Sequence, residues 1–137
     1  MIVVDASILT DFLLGRRQTV DALARELAGR EQEPLHAPEL VEPETLNALR
    51  RLALGGSVTD QRASEAAADL TNARLVRYPH APLRARVWEL RHNLTANDAS
   101  YLALAEALDD PVLLTGDAGL AAGARSSLGN ERVRHVQ

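Results

Sequence analysis

Two short runs, Ile2-Val3-Val4 and Val112-Leu113-Leu114, are aliphatic at every position and lack the polar alternation of a strand with one wet face. Strands of that kind are buried on both sides, as in parallel sheets layered between helices, and parallel neighbours need long crossover connections. The intervening sequence supplies them. ASILTDFLLG sets Ile8, Leu9, Phe12 and Leu13 at helical spacing before Gly15, and TVDALARELAG repeats the pattern through Val20, Leu23, Ala24 and Leu27 up to Gly29. PLHAP is a short extended piece between prolines. Further helices are predicted over ETLNALRRLAL (44–54), TDQRASEAAADLTN (59–72), LRARVWELRHN (83–93), NDASYLALAEAL (97–108) and the short AGLAAGA (118–124). LVRYP reads as another strand, and RVRHV alternates like an edge strand. The expected fold is α/β, a three-layer α/β/α sandwich around a central, mostly parallel sheet, in one domain over residues 1–137. Trp88 is expected in the core beside Val87 and Leu90.

Composition narrows the chemistry. The chain has no cysteine, which removes disulfides, thiolate metal sites and a cysteine nucleophile. All 15 basic residues are arginine, so a P-loop or a lysine Schiff base is excluded. A net charge of −4 and 3% aromatic residues argue against a basic nucleic-acid coat and against extensive base stacking. The N-terminal apolar run meets Asp5 after four residues, too soon for a signal peptide or membrane span, so the expected location is cytoplasmic, with no membrane association.

In open parallel sheets ligands bind beyond the carboxyl ends of the strands. Asp5 and Asp117 each follow an aliphatic strand at that end. Glu44 falls at the margin of an apolar helical arc formed by Leu46, Ala48, Leu49 and Leu52, and Asp98 stands where a helix begins. Two carboxylates about 4 Å apart repel by roughly 4 kcal/mol at an effective dielectric near 20, so four together call for a cation. Oxygen-only donors suit Mg²⁺, with Mn²⁺ able to substitute, and such an ion suits phosphodiester hydrolysis by an activated water. Each acid also has a structural reading. Asp5 can cap the first helix, although Ser7 could do so in its place; Thr95 or Asn97 can cap the helix that carries Asp98; Asp117 can be a turn or cap residue, and Glu44 a first-turn glutamate. Pro43 predicts a helix that starts near Glu44 and leaves Glu42 as a rival. Asp11 is expected on an exposed helical face, Asp109 and Asp110 in a solvated turn, and His80 and His92 lack metal-ligand spacing.

The order VVDAS, APELVEPETLNALRRL, LTANDASYLALAEAL and LLTGDAGLA resembles the PIN-domain family, in particular the VapC toxins of toxin–antitoxin pairs. The resemblance spans nearly the whole chain. It implies a PIN fold, Mg²⁺-dependent endoribonuclease activity leaving 5′-phosphates, neutralisation by a VapB antitoxin, and pairing into homodimers. Transferred residue by residue, the acidic set falls on Asp5, Glu44, Asp98 and Asp117, with Ser7 and Asn47 supporting them. Arg50, Arg51, Arg84, Arg86 and Arg91 are candidates for holding RNA phosphates. Helices TVDALARELAG and RASEAAADLTN offer amphipathic faces for a second copy or an antitoxin. Two alternatives stay open. A non-catalytic PIN-like scaffold would bind RNA or protein without cutting. An aspartyl phosphotransferase would usually need a second aspartate where Ser7 stands, and a lysine.

Overall fold

The computed structural model describes residues 1–137. The elements run β1 (Ile2–Val4), α1 (Ala6–Leu13), α2 (Arg17–Glu26), β2 (Leu35–Pro38), α3 (Val41–Leu54), α4 (Asp60–Asn72), β3 (Leu75–Tyr78), α5 (Arg84–Glu89), α6 (Ala96–Ala107), β4 (Val112–Thr115), α7 (Ala118–Leu128) and β5 (Val133–His135). The strands form one sheet in the order β3-β2-β1-β4-β5. Every neighbouring pair is parallel. The aliphatic runs explain the order: β1 lies at the centre with β4 beside it, and Val3, Val4, Leu113 and Leu114 are fully buried.

From β1 the chain steps outward through β2 to β3, then returns across the sheet to β4 and β5. Right-handed crossovers therefore put α1–α4 on one face and α5–α7 on the other, in keeping with α1 packing on α2, α3 and α4, and α6 on α5 and α7. The reversal between β1 and β4 is a topological switch point, where the carboxyl ends of neighbouring strands open a crevice.

Four expectations need correction. α3 begins at Val41, before Pro43, whose missing N–H is harmless in a first turn where donors lack intrahelical acceptors. The residue before the helix is tied to His80, whose Nε2 accepts the Leu40 amide at 3.0 Å. α5 stops at Glu89 rather than Asn93, and the chain then turns so that Leu94 packs onto Gly123, where any Cβ would come within 3.1 Å of it. On so short a helix Val87 and Leu90 pack against the core, and Trp88 is turned outward, 67% exposed, with the Arg91 guanidinium 4.4 Å from its ring centroid. α7 runs on to Leu128, ending at Gly129 with φ of 94°. No helix is long and apolar enough to cross a membrane.

Candidate active site

Asp5 and Asp117 stand at the carboxyl ends of β1 and β4, on either side of the switch point, and each caps the helix that follows. The Asp5 Oδ1 accepts the Ile8 amide at 3.0 Å and the Ser7 hydroxyl at 2.6 Å, while Oδ2 accepts the Thr115 hydroxyl. Asp5, not Ser7, is therefore the cap. Ser7 serves the strand end from the other side, its Oγ accepting the Gly116 amide at 2.9 Å. Gly116 leaves room for this contact, because a Cβ there would lie 3.0 Å from Ser7 Oγ and press on it. Thr115 joins the two aspartates, donating to Asp5 and accepting the Asp117 amide at 2.9 Å. Asp117 Oδ1 accepts the Leu120 amide at 2.8 Å, which leaves its Oδ2 outside the cap.

The other two acids arrive from the two helical layers. Thr95 caps α6 through the Asp98 amide at 3.2 Å, which frees Asn97 from that task. Its Nδ2 donates to Glu44 Oε2 at 3.1 Å, and the Tyr101 hydroxyl donates to Glu44 Oε1 at 2.5 Å. Glu42 instead pairs with Arg77 on β3, while Glu44 is turned to α6. Neither Tyr101 nor Thr115 stood out in the sequence, where one reads as a buried aromatic and the other as the end of a strand.

The four carboxylates share one electrostatic environment. Burial raises the Asp98 carboxyl to about 6, and the charges of Asp117, Asp5 and Glu44 push it the same way. Burial also raises Asp5, against the pull of hydrogen bonds from Ser7, Thr115 and the Ile8 amide, and with a further push from Asp117. Not one of the four takes part in an ion pair with arginine or histidine. Their oxygens do not close into a cage, since no three acidic or histidine side chains converge at ligand spacing.

A cleft of about 500 Å³ opens between α1 and α3 beside Glu44, lined among others by Ser7, Asp11, Asn47, Arg51 and Asn97. Arg51 follows Glu44 by seven residues and so shares its helical face, whereas Arg50 is turned about 100° away. Across Asn97 a smaller pocket of about 230 Å³ is lined by His80, Arg84 and Ser100. Arg86 is committed to Glu106 and Glu89, and Arg91 stacks on Trp88. Asp110 pairs with Arg132 at the turn before β4.

An open α/β sheet whose switch point carries carboxylates without cationic partners defines a class of protein with an acidic centre. A family model of the PIN domain matches residues 2–125. The chain is 44% identical over 122 residues to ribonuclease VapC1 of Mycobacterium tuberculosis, covering 88% of each. It is 43% identical over 117 residues to ribonuclease VapC9 of the same organism, covering 85% of this chain and 86% of that one. The crystal structure of PAE2754 from Pyrobaculum aerophilum matches the fold with a TM-score of 0.60 at 24% identity, over 95% of this chain and 89% of that one. The chain belongs to the PIN-domain family.

Proposed function

We propose that this protein is a metal-dependent endoribonuclease, the toxin of a type II toxin–antitoxin pair, acting in the cytoplasm and held in check by a VapB-type antitoxin. The observation that carries the reading is the set of four carboxylates, Asp5, Glu44, Asp98 and Asp117, with no cationic side chain paired to any of them, in which Asp98 and Asp5 are raised by burial and further by the charges of their acidic neighbours. The relatives named as VapC ribonucleases support the activity.

The donor set fits a hard cation. The candidate donors are all carboxylates, the chemistry that suits Mg²⁺, which keeps several waters and takes one or two carboxylates directly; as no three of these acids converge at ligand spacing, the remainder would act on the ion through its waters. When bound, Mg²⁺ or Mn²⁺ would supply a water of lowered pKa and charge to stabilise a phosphoryl oxygen. Asp5 and Asp117 would face the ion from the sheet, and Asp98 and Glu44 from α6 and α3, one or two of them as direct ligands. Ser7 and Thr115 keep Asp5 in its rotamer. Asn47, with Ser7, would face RNA in the cleft.

Purified protein incubated with 5′-labelled RNA is expected to cut with Mg²⁺ or Mn²⁺, leave 5′-phosphates, and fall silent in EDTA. Metal-independent cutting would overturn the mechanism. Absence of both cutting and Mn²⁺ binding heat would favour the scaffold alternative.

Of the candidate arginines, Arg51 is the one beside the acids in the larger cleft, while Arg86 is already paired. Arg51→Ala is expected to weaken RNA binding and reduce its log–log salt slope by about 0.7, the value for one phosphate contact on a single strand. Arg86→Ala should leave that slope unchanged, as measured by anisotropy on an Asp5→Asn background. Exposed Phe12, Leu46 and Leu54 on α1 and α3 support partner binding beside the cleft, by an antitoxin helix or in a homodimer. An antitoxin arginine among the carboxylates would compensate the same charge that the metal does.

A further inference from the structure

Glu44 differs from the other three acids in how it is held. Asp5 and Asp117 are fixed by backbone amides of the helices they cap, whereas both Glu44 oxygens are held from a different helix, by side chains 53 and 57 residues further along the chain. Those side chains, Asn97 and Tyr101, lie one turn apart on α6 and so present their donors side by side. Tyr101 is 1% exposed, so its hydroxyl cannot reach an RNA substrate. The backbone amide of Ala6, the residue after Asp5, faces the same phenol oxygen. One buried hydroxyl thus sits between the end of β1 and the side chain of Glu44.

A buried hydroxyl without a partner is costly, so Tyr101 must be satisfied, and Glu44 is the acceptor within reach. A glutamate near the start of α3 has three rotatable side-chain bonds, and repulsion from Asp98 would drive it toward solvent. Two donors offset that repulsion. A carboxylate offers about four lone-pair positions, so after accepting one bond on each oxygen Glu44 still has two for a cation.

We infer that Tyr101, assisted by Asn97, is a positioning residue that clamps the Glu44 carboxylate toward the Asp5, Asp98 and Asp117 set, so that α6 supplies one acid and aims another. The inference rests on the proposed metal-dependent ribonuclease. Partners that orient a metal ligand are commonly worth ten- to a hundredfold in metal affinity.

The test is Mn²⁺ calorimetry without RNA on Tyr101→Phe and Asn97→Ala, with thermal melts of the metal-free proteins. Tyr101→Phe keeps the buried ring, so its Tm is expected to move by less than about 5 °C, while Mn²⁺ affinity falls about tenfold; Asn97→Ala, losing the longer bond, should fall less. A merely structural role would lower Tm and leave the affinity of the folded protein unchanged. Wild-type Mn²⁺ affinity in both variants would overturn the clamp and leave the ribonuclease reading standing. If the wild type itself shows no Mn²⁺ heat, the cleavage assay decides the ribonuclease reading, and the clamp is decided by NMR of the metal-free protein. A slowly exchanging Tyr101 hydroxyl proton that disappears in Glu44→Ala would uphold it, and absence of that proton in the wild type would overturn it.

Discussion

Asp98→Asn is expected to lower RNA cleavage by roughly a hundredfold to a thousandfold, the equivalent of several kcal/mol of lost charge stabilisation, and yet to raise the Tm of the metal-free protein. Two effects separate here. In the metal-free fold the Asp98 carboxylate is half-buried and faces the charges of Asp117, Asp5 and Glu44, so its carboxyl is raised to about 6 from an ordinary value of 3.8. The folded state therefore holds a proton that the unfolded chain releases between about pH 4 and pH 6, and stability from this group falls as pH rises through that window. Asparagine is neutral throughout. The variant should match the wild type at pH 4 and exceed it above pH 6, by about 1 kcal/mol once solvent screening is allowed for, or about 3 °C for a chain of this size. Saturating Mn²⁺ at pH 7.5 should remove that advantage by stabilising the wild type alone. A variant less stable than the wild type at pH 7.5 without metal would contradict the repulsion on which the proposed cation site depends.

Asp5 combines two tasks that a pair of substitutions can pull apart. Asp5→Ala removes the acceptor for the Ile8 amide and strands the donors of Ser7 and Thr115. A lost cap costs about 1 kcal/mol, and the orphaned donor of buried Thr115 about 1 kcal/mol or more, whereas exposed Ser7 can turn to water; relief of a buried charge offsets part of this. A net loss of about 2 kcal/mol is expected. Asp5→Asn keeps an oxygen for the Ile8 amide and Ser7, and its amide can donate to Thr115 if that hydroxyl turns, so its loss should stay within about 1 kcal/mol. Cleavage should vanish in both. Urea denaturation of the metal-free variants distinguishes them, and equal destabilisation by Asn and Ala would show that the carboxylate charge, not its hydrogen bonding, holds the strand end together.

Much of the architecture could be read from residue pattern alone, because the forces that set it are local or act on whole faces. Fully aliphatic Ile2–Val4 and Val112–Leu114 can be buried only between layers, and the 3.6-residue spacing of the segments between them can supply those layers. The positions of Asp5 and Asp117 follow from the same logic, since each comes directly after its strand or one tight turn later. What escaped the sequence depends on partners far away in it. Tyr101 reads as one more apolar residue of α6 until Glu44 is placed against it, and Thr115 reads as the last residue of a strand until β1 lies alongside β4. Likewise the Leu40 amide at the entry to α3 finds its acceptor in His80, beyond β3, a partner that no rule about Pro43 could anticipate. Trp88 misled because size suggests burial, whereas on a helix of six residues only one narrow face is available to the core.

The strand order also bears on when activity can arise during synthesis. β1 is translated early, but the neighbour that closes the crevice, β4, follows more than a hundred residues later, after two outward strands and helices α1–α6. Contacts so distant in sequence form late in folding. A growing chain on the ribosome carries Asp5 and Glu44 for most of its elongation without Thr115 or Asp117 to complete their surroundings. The carboxylate set is thereby left incomplete until nearly all of this topology has been translated.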